Sequence, residues 1–174
     1  FSGGELNVEG AAARGRGLLL ANRASRRRGS VNALAEVPVG ELLACLEHGA
    51  APPELRNVRS WALGTLGRVP IGFTDLAWVA GGRLLYAGAA EDTRSAVGDG
   101  PVPGSVIGIL GTRGARWAPV TGPDGRPFAG KIEGLCPRGR GFRELWAVTD
   151  ADDAREPARL CAIRLVGPWQ DRPK

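Results

Sequence analysis

The chain has 174 residues, 43% hydrophobic and 24% charged, which is the length of one domain and a globular balance that argues against wholesale disorder. Its 27 glycines and 13 prolines suit short strands and many turns better than a helical bundle. The net charge of +5 rests on 23 basic residues, nearly all arginine, and in a chain rich in alanine and glycine this reads as a coding bias rather than a phosphate-binding surface.

A first unit spans 7–66. It opens on Asn7-Val8-Glu9-Gly10 and a run of alanines, turns at Arg14–Gly17, and resumes with Leu18-Leu19-Leu20. The following polar loop, 22–30, holds the basic cluster 23–28, with Arg23, Arg26, Arg27 and Arg28. No aromatic residue interleaves with these arginines, so they read as a solvated loop before they read as a nucleic-acid contact. Two further strand-like runs are Val31–Val37 and Val58–Leu63. Between them, apolar residues at 39, 42, 43 and 46 have a helical period, giving a helix or a strand extension with a surface loop.

The second unit, 73–122, repeats this order. Phe73-Thr74-Asp75-Leu76 leads to a Gly81-Gly82 turn, then Leu84–Tyr86, a polar loop over 91–103, and runs at Ser105–Leu110 and Ala115–Val120. Trp61 and Trp117 hold similar places in their fourth runs. The third unit, 131–166, opens on Lys131-Ile132-Glu133-Gly134 and turns through 138–143. It continues with Glu144–Val148, a loop over 150–157 and Arg159–Leu165. No convincing fourth run closes it. Cys45, Cys136 and Cys161 are widely spaced and imply neither a zinc motif nor a disulfide framework. His48, the single histidine, reads as an exposed loop residue, and Ser105 as structural.

Self-similarity at intervals of 66 and 58 residues, measured on Glu9, Asp75 and Glu133, marks a repeat architecture. The expected fold is all-β: a partial β-propeller of about three four-stranded antiparallel blades within a single domain, 1–174. A β-sandwich is the rival, but it does not explain a carboxylate recurring before the first strand of each unit. Three blades do not close a ring. Either upstream blades of the same chain are missing, as the absence of any methionine suggests, or chains assemble around an axis.

In a propeller the first strands of successive blades line one channel, so Glu9, Asp75 and Glu133 are expected at one mouth. Converging carboxylates repel unless protonated, paired with arginine or bridged by a cation. Oxygen-only ligands suit Ca2+, which makes these three the candidate metal ligands; capping of backbone N–H groups where blades meet is the structural alternative. The loops after each second strand rim the same face and supply the ligand-binding candidates Asn22, Arg23, Glu91, Asp92 and Asp150. Asp150 and Asp152 are the candidate catalytic carboxylates.

With Asn7–Ala12, Gly72–Ala77, Ala89–Thr93, Lys131–Leu135 and Val148–Asp153, the chain resembles an uncharacterised bacterial family of propeller-like proteins, of which it would form the C-terminal half. That resemblance implies a six-bladed-like fold and no activity. The Glu-Gly-apolar-small element is also similar to one in the regucalcin/gluconolactonase and phytase-associated esterase-like propellers, where a glutamate at such a position in the first group binds a divalent cation. The expected function is therefore a propeller-type binding or scaffold protein of unknown ligand with an acidic channel mouth, a small molecule being one partner class it would admit. A Ca2+-dependent hydrolase of a lactone or ester is the alternative, and nucleic-acid binding through 23–28 comes third. No membrane span is expected, and the compartment is open.

Overall fold

A computed structural model describes residues 1–25, 28–91, 103–112, 114–139 and 142–169. The chain is all-β, arranged as three antiparallel sheets. The first sheet joins β1 (Val8–Arg14), β2 (Gly17–Asn22), β3 (Ala33–Pro38) and β4 (Arg56–Ser60) in that order. The second has five strands, β5 (Thr65–Leu66), β6 (Val69–Val79), β7 (Arg83–Ala90), β8 (Gly104–Gly111) and β9 (Gly114–Pro119). The third has three, β10 (Lys131–Pro137), β11 (Glu144–Asp150) and β12 (Leu160–Arg164). The second sheet departs from the four-strand expectation, because the two-residue β5 adds to β6, whereas the third, as expected from its lack of a convincing fourth run, has three strands among the described residues.

The segment 39–48 is the helix α1 (Val39–His48), ended by Gly49 at φ +66°. Glycine removes the steric cost of that left-handed C-cap. None of the helix's residues is buried, so it lies on the surface. Trp61 and Trp117 are not equivalent: Trp117 lies inside β9 opposite Gly108, whereas Trp61 follows the end of β4.

The three first strands lie side by side, with β6 packed against both β1 and β10. Burial follows from this order. Every residue of β7 after Arg83 is buried, because its sheet is covered on both faces. The face bearing Phe73, Leu84 and Tyr86 packs on Ala12, Ala21 and Leu34 of the first sheet. The opposite face, with Leu85, Ala87 and Ile107, packs on Ile132, Leu145 and Ala147 of the third. β11 is covered on one side only and alternates strictly between exposed and buried positions, the period-2 signature of a one-sided strand.

Each first strand carries a bulge at the same point. The pairing register slips between Val8 and Gly10, between Phe73 and Asp75, and between Ile132 and Gly134. The extra residues are Glu9, Thr74 and Glu133. A β-bulge inserts one unpaired residue and re-aims the side chains around it.

Candidate functional site

The bulge register corrects the expected carboxylate trio. Glu9 and Glu133 are equivalent, but their counterpart on β6 is Thr74, and Asp75 falls at the position of Gly10 and Gly134. Asp75 does another job: its Oδ2 accepts the Leu135 N–H at 2.6 Å, tying β6 to β10. Its carboxyl pKa is raised by burial, against the lowering effect of hydrogen bonds from the Leu76 and Leu135 N–H groups. On its other side, a Cβ on Gly10 would stand 3.0 Å from the Asp75 Cα, so β1 and β6 approach closely at that point.

Glu9 and Glu133 are linked through intervening charged side chains. Burial raises the Glu133 pKa, with Lys131 opposing the rise and the Glu9 charge adding to it. They are the two ends of one ion-pair chain. Arg23 pairs with Glu9 at 3.6 Å and with Glu91, which also lies 3.6 Å from the Lys131 ammonium. Lys131 Nζ then reaches Glu133 Oε1 and Asp152 Oδ2, each at 3.0 Å. Burial acts to lower the Lys131 pKa, but the Glu133 and Asp152 contacts outweigh it and hold the ammonium charged. The inner members of the chain are dry: the side chains of Arg23 and Glu91 are 8% and 3% exposed.

Local sequence explains this chain. Gly72 leaves the space that the Arg23 side chain crosses, since a Cβ there would sit 2.6 Å from its Cγ. Glu91 and Asp152 occupy equivalent positions, three residues beyond Gly88 and Thr149, which pair with Phe73 and Ile132. Lys131 begins β10 directly below them. Arginine and lysine therefore fill the places between carboxylates that the sequence reading offered to a cation. Among the described residues, no group of three or more His, Cys, Asp or Glu side chains is arranged to hold a metal ion.

The other expected site residues divide. Asn22 is fully buried and structural: its Oδ1 accepts the Asn7 N–H at 2.9 Å, and its Nδ2 donates to the carbonyls of Val31 and Arg23. Arg23 is turned inward, so it does not belong to an exposed basic patch. Arg26, Arg27 and Asp92 lie outside the described residues. Asp150 and Asp152 flank a cleft of about 350 Å³ whose lining also includes Lys131, Glu156 and Arg159. Asp152 has a left-handed φ of +53°, and its N–H donates to Asp150 Oδ1 at 2.9 Å, an Asx-type turn that lets an aspartate adopt this backbone. His48 is exposed at the end of α1.

Lys131 and Asn32 were not singled out from the sequence. Asn32 Nδ2 donates to the Ile71 carbonyl at 2.8 Å, and its Oδ1 accepts the Ala24 and Phe73 N–H groups. Ser105 repeats the device one sheet on: its hydroxyl donates to the Gly130 carbonyl at 2.8 Å and accepts the Ile132 N–H at 3.0 Å. The available signal was the recurrence of a polar residue at the head of the third run in the first two units.

Among the described residues, no helix is long and apolar enough to cross a membrane. A model for a family of unknown function, DUF6929, matches residues 1–165. No curated protein and no solved structure matches the chain.

Proposed function

We propose, for a chain that belongs to DUF6929, a family of unknown function, that it is a small-molecule-binding protein on a propeller-type scaffold, taking a compact cationic ligand at its acidic mouth. The side-by-side first strands and the recurring bulge support the scaffold. The observation that carries the ligand class is charge. A chain of net +5 gathers Glu9, Glu91, Glu133, Asp150, Asp152 and Glu156 around one end, against Arg23, Lys131 and Arg159. Lys131 is already engaged by carboxylates, so the uncompensated charge of the cleft is negative. A protonated amine fits that field, and about 350 Å³ lies at the small end of ligand-sized cavities.

Isothermal calorimetry with small primary amines, neutral sugars, carboxylates and inorganic phosphate tests the reading. Amines bind, and Asp150→Asn with Asp152→Asn weakens them by about tenfold or more, as loss of a charge-assisted contact predicts. If amines do not bind, or bind equally to the double variant, the proposal fails. Calcium chloride belongs in the same series. A calcium-induced rise in Tm that disappears in Glu9→Gln and Glu133→Gln transfers the site to the Ca2+-dependent hydrolase reading, with Asp150 or Asp152 as general base.

A further inference from the structure

We infer that the cleft beside Lys131 takes an α-amino acid with an apolar side chain, its carboxylate held by Arg159 and its side chain laid on Phe128. The inference rests on the amine reading of that cleft and narrows it to a zwitterion. Lys131 is committed to Glu133 and Asp152. The other charges lining the cleft are those of Arg159, Asp150 and Glu156, and among the described residues none of these three is in an ion pair. One guanidinium and two carboxylates thus border the same small space without neutralising one another.

Strand pairing sets their spacing. The Thr149 N–H donates to the Arg159 carbonyl at 3.0 Å, and the Arg159 N–H donates to Thr149 Oγ1 at 3.2 Å. Arg159 therefore lies one strand-width, about 5 Å, from Thr149, and Asp150 is the next residue along. The bond from the Asp152 N–H to Asp150 Oδ1 at 2.9 Å occupies one oxygen of that carboxylate and orients it. An α-amino acid carries its ammonium and its carboxylate on a single carbon, so it calls for an anionic and a cationic group this close together. A simple amine would leave the guanidinium beside a like charge. A zwitterion satisfies both signs with charge-assisted hydrogen bonds, and the planar guanidinium fork matches a carboxylate.

Much of the remaining lining is apolar, from Phe128, Ala129, Ala151 and Pro157. Phe128 is placed by the hairpin that follows β9. Its N–H donates to the Val120 carbonyl at 2.9 Å, beside the bridge between Thr121 and Pro127, and the Gly122 N–H closes the turn on the Arg126 carbonyl at 2.8 Å. Gly130 makes room for the ring, since a Cβ there would stand 2.6 Å from the Phe128 Cζ. Half-buried aromatic surface beside charges of both signs suits a ligand whose apolar part branches from a zwitterion. The volume of about 350 Å³, against about 300–1,000 Å³ for small-molecule sites, suits one amino acid better than a peptide.

Isothermal calorimetry on the whole chain with phenylalanine, phenethylamine, hydrocinnamate and glycine provides the test. Phenethylamine lacks the carboxylate, hydrocinnamate lacks the ammonium, and glycine lacks the ring. Phenylalanine binds about tenfold or more tightly than phenethylamine or glycine, and hydrocinnamate does not bind. Arg159→Gln removes the difference between phenylalanine and phenethylamine, and Phe128→Leu narrows that between phenylalanine and glycine. Arg159 is exposed, so its substitution leaves the fold intact, which melting curves of both variants check. Phenethylamine binding as tightly as phenylalanine overturns the zwitterion while the amine reading stands. If neither binds, both fall. A difference that survives Arg159→Gln overturns the assignment of the carboxylate to Arg159, and glycine binding as tightly as phenylalanine overturns the apolar wall.

Discussion

Asp75 stands where Gly10 and Gly134 stand in the other units, and its carboxylate accepts a backbone N–H of β10. Replacing it with alanine leaves the Leu135 N–H without its 2.6 Å acceptor. The expected loss is about 1–3 kcal/mol, the range for an orphaned buried donor. Asp75→Asn keeps an acceptor and loses less; urea unfolding of the pair checks the order. Tyr86 illustrates the opposite case. Its hydroxyl is buried without a hydrogen-bond partner, and burial pushes its pKa up. Tyr86→Phe should therefore leave Tm unchanged or raise it, because a desolvated hydroxyl is removed at no cost in hydrogen bonds. The same ring closes the space over Gly108, where a Cβ would stand 2.2 Å from it. Gly108→Ala should destabilise by about 1–3 kcal/mol through overpacking, and scanning calorimetry distinguishes the two substitutions by sign.

At the scale of elements, sheets are joined by polar clasps from the third strand of one unit, or the residue just before it, to the first strand of the next. Asn32 and Ser105 perform this role between different pairs of sheets with the same choice of backbone partners. Ser105→Ala would strand the Ile132 N–H and the Gly130 carbonyl, with an expected loss of about 1–3 kcal/mol. Hydrogen exchange should show the Ile132 amide losing protection, whereas amides in β2 and β3 should not change. The position equivalent to Asn32 and Ser105 in the third unit is Ala158, as the pairing of Thr149 across from Arg159 fixes. The third sheet therefore carries no clasp of this type to a further sheet.

For the whole molecule, the ion-pair chain from Glu9 to Asp152 links all three sheets at one end. Glu91 lies between a cation from the first sheet and one from the third. Removing one partner of a buried pair costs more than the pair contributes, because the survivor stays desolvated. Arg23→Ala should thus destabilise by about 3–5 kcal/mol, and the loss should change little with salt because burial keeps dissolved ions from screening the pair. The pH dependence has a defined sign. Burial raises the folded-state pKa of Asp75 and Glu133, so in the window between the unfolded and folded values the native state holds more protons. Stability contributed by these groups then falls as pH rises through that window and is flat on either side. A shallower decline in Glu133→Gln, followed by denaturant unfolding across that range, checks it.

Much of this arrangement was written in the chain. Three units of similar order, their turns and the two faces of each strand follow from hydrophobic period and repeat spacing, because alternation dictates which side chains share a face. The helix at 39–48 was legible as one of two readings from its apolar spacing. Register was not legible. Only the cross-strand pairing shows that Thr74, and not Asp75, holds the bulge position of Glu9 and Glu133, and that Trp61 follows β4 while Trp117 lies within β9. The inward turn of Arg23 and the part played by Lys131 were equally invisible, since a basic residue beside a loop is solvated or buried according to what the next sheet brings against it. Local sequence thus determined the strands and their faces, while tertiary packing decided which charges meet, because a dry ion pair forms only where separate sheets exclude water from both partners.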